Sequence, residues 1–107
     1  MFRHADAPAL DLEPLPLDEI VSGSPVAAVA ELCHLGDVDY GVWELSEGTV
    51  RDTEADEVFV VLSGRGEIAF EDGLIVSLAA GSVVRLNAGE RTVWRVDERL
   101  RKVWFTA

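Results

Sequence analysis

The sequence has few of the residues on which catalysis and metal binding most often rest. Histidine occurs twice, at His4 and His34, and cysteine once, at Cys33. A single thiol allows no internal disulfide and no thiolate metal cluster, which fits a reducing compartment. Cys33 ends the apolar run VAAVAELC and reads as a small core residue rather than a nucleophile. No Ser-His-Asp set can be assembled, no glycine-rich phosphate loop precedes a helix, and no GxGxxG occurs. No apolar stretch approaches the roughly 18 residues of a membrane span. The opening MFRHADAPAL has neither the basic start nor the long apolar centre of a signal peptide, so a soluble cytoplasmic protein is expected. Positive charge is scarce too. Nine basic residues stand against twenty acids, a formal net charge of −11 that repels phosphate backbones and anionic lipid. Nucleic-acid and membrane partners are therefore not expected.

What is present is an apolar, turn-rich chain of 107 residues, the length of one domain. Residues 1–24 differ in texture from the rest. Pro8, Pro14 and Pro16 sit among five acids, which argues against a long regular element. The leucines of LDLEPLPLDEI alternate, as in an extended edge strand that tolerates proline. The expectation is an N-terminal arm that lies along the body or reaches a second subunit, followed by one domain over residues 25–107. From there the chain predicts strands at 26–35, 38–45, 57–63, 66–71, 74–78, 82–86, 92–96 and 100–106, with no convincing helix. Residues 26–35 carry a helix-tolerant AAVAEL, yet Ser-Gly-Ser-Pro before them and Gly36 after them leave a strand-sized interval. Gly36-Asp37, Ser46-Glu47-Gly48, Ser63-Gly64-Arg65-Gly66, Ala80-Gly81 and Asn87-Ala88-Gly89 supply turns. Glu71-Asp72-Gly73 is the strongest hairpin signal, because glycine accepts the positive φ of a tight turn. Many short strands at regular spacing predict an all-β sandwich or closed barrel.

Sidedness is clearest at residues 92–96, where alternation puts Thr92, Trp94 and Val96 on one face and Arg91, Val93 and Arg95 on the other. The charged face predicts that the Trp94 face looks inward. Arg91, Arg95, Arg99, Arg101 and Lys102 lie in the last two predicted strands, while fourteen of the twenty acids lie at or before Glu57. This segregation predicts either opposite-charge pairs across the sheet or a solvated outer face.

The order of several short signals carries a resemblance. Gly23-x-Pro25, Gly41-x-Trp43-Glu44, Glu47-Gly48, Asp56-Glu57-Val58-Phe59 and Leu62-x-Gly64 come first. Glu71-Asp72-Gly73, Ala80-Gly81, Ala88-Gly89, Trp94 and Arg101-Lys102-Val103 follow. Together they resemble the cupins, and among them the short single-domain proteins similar to the cupin domain of (S)-ureidoglycine aminohydrolase. The resemblance implies an all-β antiparallel jelly-roll (RmlC-like) barrel with an extended N-terminal arm. Cupins commonly place two histidines before a glutamate and glycine, then a last histidine after a second glycine-bounded motif. Glu57, Gly64, Gly81 and Gly89 match. The histidine places fall at Arg51 and Thr53, or at Val50 and Asp52 if the loop is one residue longer, and the last falls at Thr92. With Glu57 alone retained and both histidines outside the motifs, no metal and no cofactor are expected, since carboxylates and hydroxyls hold transition metals weakly. Asp52 with Glu57 offers at most a site for a hard cation. His34 reads as a surface or core histidine.

A barrel of this kind has Trp43, Arg51, Thr53, Glu57, Phe59, Thr92 and Trp94 as its expected pocket. One expectation is an internal ion pair between Arg51 and Glu57 in a filled core. The other is a ligand pocket in which Arg51 receives a small acid, amide or ureide while Trp94 and Phe59 pack its organic part. Metal-free small-molecule binding is the leading expectation for function. An enzyme acting on a small nitrogenous or carboxylated metabolite, with Glu57 as general base, is the alternative the resemblance implies. A structural dimer with a filled barrel is the third. A homodimer is expected in any case, because an arm with exposed leucines and an open sheet edge invite pairing.

Overall fold

Alternation decides the architecture. Inward positions of successive strands are mostly apolar, and among the described residues the only helical element is one 3-10 turn at Ala7–Ala9. The structure, a computed structural model, describes residues 2–107. Its strands are β1 (Glu13–Leu15), β2 (Ile20–Ser22), β3 (Ala27–Leu35), β4 (Val38–Leu45), β5 (Gly48–Thr53), β6 (Glu57–Phe70), β7 (Ile75–Leu78), β8 (Val83–Leu86) and β9 (Arg91–Thr106). All pairings are antiparallel. Among the described residues no helix is long and apolar enough to cross a membrane.

Two long strands hold the fold together. The second half of β9 lies between β4 and the first half of β6, and β8 lies outside β6. The first half of β9 lies between β5 and the second half of β6, with β7 outside. β6 and β9 therefore pass together from one sheet into the other and curl the whole into an antiparallel jelly roll. Residues 57–63 and 66–71, and likewise 92–96 and 100–106, were expected as separate strands. Each pair is one continuous strand, and Ser63-Gly64-Arg65-Gly66 is a bent corner rather than a turn. The register slips three times between Val61 and Gly66 as the corner is rounded. Gly64 has a φ of +92°, and any Cβ there would run into the Arg99 carbonyl on the neighbouring strand. The hairpin expected at Glu71-Asp72-Gly73 is present, with Gly73 at φ +96° and Leu74 N–H donating to the Asp72 carboxylate at 3.0 Å.

Within residues 2–24, two short strands join the barrel. Residues of β1 pair with β3 and those of β2 with β5, so this segment supplies both edges of the longer sheet. Pro14 sits in β1 opposite Ala28, on an edge where its missing N–H costs no ladder bond. Met1, the first residue of the expected arm, lies outside the described residues. Residues 7–10 are held against the outer face of the barrel by Arg101, which donates to the carbonyls of Ala7 (2.9 Å), Pro8 (3.3 Å) and Leu10 (2.9 Å).

The core is one cluster between the sheets. Leu45, Phe59, Ile68, Leu86 and Leu100 are fully buried in it, each worth about 1.5–3 kcal/mol of transfer free energy. The face predicted from residues 92–96 is the inward one: Thr92, Trp94 and Val96 are all buried. The basic residues of β9 pair with acids across strands, Arg101 with Glu44 and Arg95 with Glu67. Exposed pairs such as Arg65 with Glu98 lie in solvent and add little to stability.

Candidate functional site

β5, a strand not foreseen in the sequence, sets the site. Its register on β9 puts Val50 opposite Trp94, Asp52 opposite Thr92, and Thr53 opposite Arg91. Since Thr92 and Trp94 face inward, Val50 and Asp52 face inward as well, and Arg51 and Thr53 point out. Of the two registers open at the sequence level, the longer loop is the one present. Arg51 and Thr53 are exposed and line a separate depression of about 410 Å³ with Arg91 and Glu71. Arg51 therefore does not meet Glu57, and the expected pair between them is replaced by another.

The partner of Glu57 is Lys102. Its ammonium donates to Glu57 Oε2 at 2.6 Å, with the two side chains 7% and 16% exposed. Three aromatic rings surround the same nitrogen: Phe59 at 4.3 Å, Trp43 at 4.6 Å and Trp94 at 4.8 Å from ring centroid to Nζ. Such cation–π contacts gain strength where water is excluded. Burial pushes the Lys102 pKa down, while the carboxylates of Glu57, Glu54 and Asp52 act in the opposite direction. An ammonium carries three N–H donors, and among the described residues it makes one hydrogen bond, to the carboxylate of Glu57.

A second acid was also missed. Glu54 follows β5 and is buried. Its Oε2 accepts from Thr92 Oγ1 at 2.6 Å and from Trp94 Nε1 at 2.9 Å, while its backbone N–H donates to the Glu90 carbonyl at 2.8 Å. Thr92, expected to face a ligand, instead orients Glu54. Phe59 lies beneath Lys102 as a wall. Asp52, beside Glu54, has its pKa pushed up to about 6, first by desolvation and then by the neighbouring carboxylate.

These groups surround a cleft of about 350 Å³ at the mouth of the barrel. Trp43, Trp94, Trp104, Lys102, Glu54 and Glu57 line it, with Asp52, Glu31 and Asp39 toward the rim. All three tryptophans of the chain and its only lysine thus converge on one space. Of the expected pocket residues, Trp43, Glu57 and Trp94 line the cleft directly. Lys102 could have been found from parity: along β9, positions 92, 94, 96, 100, 102 and 104 share the inward side. The uniqueness of this lysine among nine basic residues was a second signal.

The donor set does not fit a transition metal. Both histidines are exposed and away from the cleft, and the place facing Glu57 is filled by a fixed ammonium. Among the described residues no group of three or more His, Cys, Asp or Glu side chains is arranged to hold a metal ion. Here a lysine supplies positive charge at the acid end of the barrel.

An antiparallel jelly roll whose mouth carries polar, convergent side chains defines a cupin. The chain belongs to the EutQ-like cupin domain family, whose model matches residues 32–104. The EutQ protein of Clostridium difficile is similar over 96% of this chain and 84% of its own, at 22% identity and a TM-score of 0.78. A putative ethanolamine utilization protein Q of Salmonella typhimurium is similar over 76% of this chain and 68% of its own (19% identity, TM-score 0.66). A Thermotoga maritima protein is similar over 62% of this chain and 76% of its own, at 27% identity and a TM-score of 0.59. Comparison with curated proteins yields no match.

Proposed function

We propose that this chain is a metal-free small-molecule-binding cupin whose ligand is a small planar amide or ureide. The observation that carries the reading is Lys102, a buried ammonium with one hydrogen bond, three aromatic neighbours and open space beside it. A ligand carbonyl oxygen accepts from Lys102. Ligand N–H groups donate to Asp52 and Glu57, and Trp43 and Trp94 pack the planar framework. A ureide offers both kinds of group at once. A free acid suits the cleft less well, because five carboxylates line it against one ammonium. The volume of about 350 Å³ speaks against a filled barrel. The enzyme alternative, ureidoglycine aminohydrolase-like turnover with Glu57 as general base, ranks second because Glu57 is already engaged by Lys102.

The test is a thermal-shift and NMR titration of the whole chain with methylurea, hydantoin and propionate. The neutral ureides raise Tm, propionate raises it less, and Lys102→Met abolishes the response. No response to any of the three rejects the reading.

The functional unit is proposed as a homodimer. Val58 and Phe105 are directly paired neighbours on the outward face of β6 and β9, and both are exposed there together with Val83 of β8. Light scattering checks the mass, and Val83→Glu, at the most exposed of the three positions, lowers it.

A further inference from the structure

We propose that Lys102 captures small neutral carbonyl compounds covalently, forming an imine within the cleft. The inference rests on the reading of the cleft as a ligand site, and it adds a chemistry that hydrogen bonding alone does not require.

Three features of the site point this way. Lys102 is 5% exposed and lines a cleft large enough for a small organic molecule. Removal from water favours the neutral amine, the only form that attacks a carbonyl carbon. A proton acceptor is already in contact, Glu57 Oε2 at 2.6 Å. A second carboxyl group lines the same space: Asp52, whose raised pKa leaves part of it protonated near neutral pH. An ordinary surface lysine has none of these.

The step balances with the groups present. Glu57 takes one ammonium proton. The freed amine attacks the carbonyl carbon, and as the C–N bond forms the C=O π pair moves onto oxygen, which takes a proton from Asp52. The Asp52 carboxylate then removes a second proton from nitrogen, giving a neutral carbinolamine. Glu57 returns its proton to the hydroxyl, water departs, and the nitrogen lone pair closes the C=N bond as a protonated imine. That cation faces Glu57 and the rings of Trp43, Phe59 and Trp94, as the ammonium did. The carboxylates of the cleft select against carbonyl compounds that carry a carboxylate of their own.

Because the chain has one lysine, the experiment is clean. The whole protein is incubated at pH 7 with propanal and cyanoborohydride, which reduces an imine to a stable secondary amine, and the modified residue is located by peptide mass mapping. The chain's α-amino group is the internal standard. An unperturbed lysine, with a pKa of about 10.4, reacts more slowly at pH 7 than an α-amine of about 7.7–8.0. The expected result is the reverse, with Lys102 modified first. Propanal outpaces pyruvate, and Glu57→Gln slows Lys102 at least about tenfold, the loss ordinarily seen when a general base is removed. Modification confined to the α-amine, or none at all, overturns the proposal. Ureide binding in the separate titration without any Lys102 adduct rejects imine chemistry and leaves the ligand site standing. Failure of both rejects both.

Discussion

Arg101 and Lys102 are consecutive on β9 and look in opposite directions. Each is a poorly exposed cation paired with a glutamate on another strand: Arg101 with Glu44 at 3.2 Å, Lys102 with Glu57 at 2.6 Å. Their side chains are 14% and 7% exposed. By burial and charge they are nearly equivalent. They differ in how much of their bonding capacity the fold uses. The guanidinium of Arg101 spends its donors on Glu44 and on three backbone carbonyls, and so clamps residues 7–10 to the barrel. The ammonium of Lys102 touches one carboxylate, three ring faces and a cleft. A buried charge whose bonds fasten a segment of chain to the barrel is structural. One with donors left over beside open space is available for chemistry.

The largest expected effect breaks the comparison at its structural end. Arg101→Met leaves Glu44 without its closest partner and frees three carbonyls, at a cost of about 3–5 kcal/mol. Amide exchange over residues 7–10 quickens with it, since Arg101 is the polar anchor of that segment. Lys102→Met is expected to cost less, about 1–3 kcal/mol, because Glu57 lines an open cleft and the methionine side chain fits among the rings. Urea denaturation of the two variants checks the ranking. Equal losses would mean that Lys102 is as structural as its neighbour.

A smaller effect sharpens the pairing itself. Glu57→Gln and Lys102→Met in a double-mutant cycle should couple by about 1–3 kcal/mol, the range for groups in direct contact. Glu57→Gln with Arg51→Met should be additive within about 0.5 kcal/mol, since Arg51 points away from the cleft. A coupling to Arg51 as large as that to Lys102 would restore the pair expected from the sequence.

The contrast between those two pairs shows where the sequence was legible. Glycine-bounded alternation exposed most strands and the inward face of Thr92, Trp94 and Val96, because apolar periodicity reports burial directly. The same rule failed at β5. GTVRDT has one apolar residue facing in, and its next inward position is Asp52, a site residue in place of a core residue. Functional positions interrupt the pattern by which strands are recognised, so the strand carrying the site was the one overlooked. Corners were obscured for a different reason. Gly64 and Gly66 have the composition of a turn, and only tertiary pairing shows that they bend two long strands together. Lys102 was hidden by its class. Basic residues are ordinarily exposed, and it took parity along β9 to mark this one as inward-facing.

The smallest effect is a pH dependence that should belong to the cleft face of β9 alone. Asp52 has a reference pKa of 3.8 and is raised to about 6 in the fold, first by desolvation and then by Glu54, against the opposing influence of Lys102. Between these values the folded chain holds a proton that the unfolded chain has released. The unfolding free energy from this group therefore falls as pH rises through that interval. Put the other way, acidification from pH 7 to pH 5 should stabilise the wild type relative to Asp52→Asn, which cannot titrate. Carboxylates remote from Asp52 are common to the two proteins and cancel in the difference. Denaturation midpoints at pH 7, 6 and 5 should diverge steadily in favour of the wild type. A flat difference for Asp52→Asn would mean that the carboxyl group is solvated and ionised at neutral pH. It could not then supply the proton that carbonyl capture at Lys102 requires, and the two faces of β9 would differ less than their geometry implies.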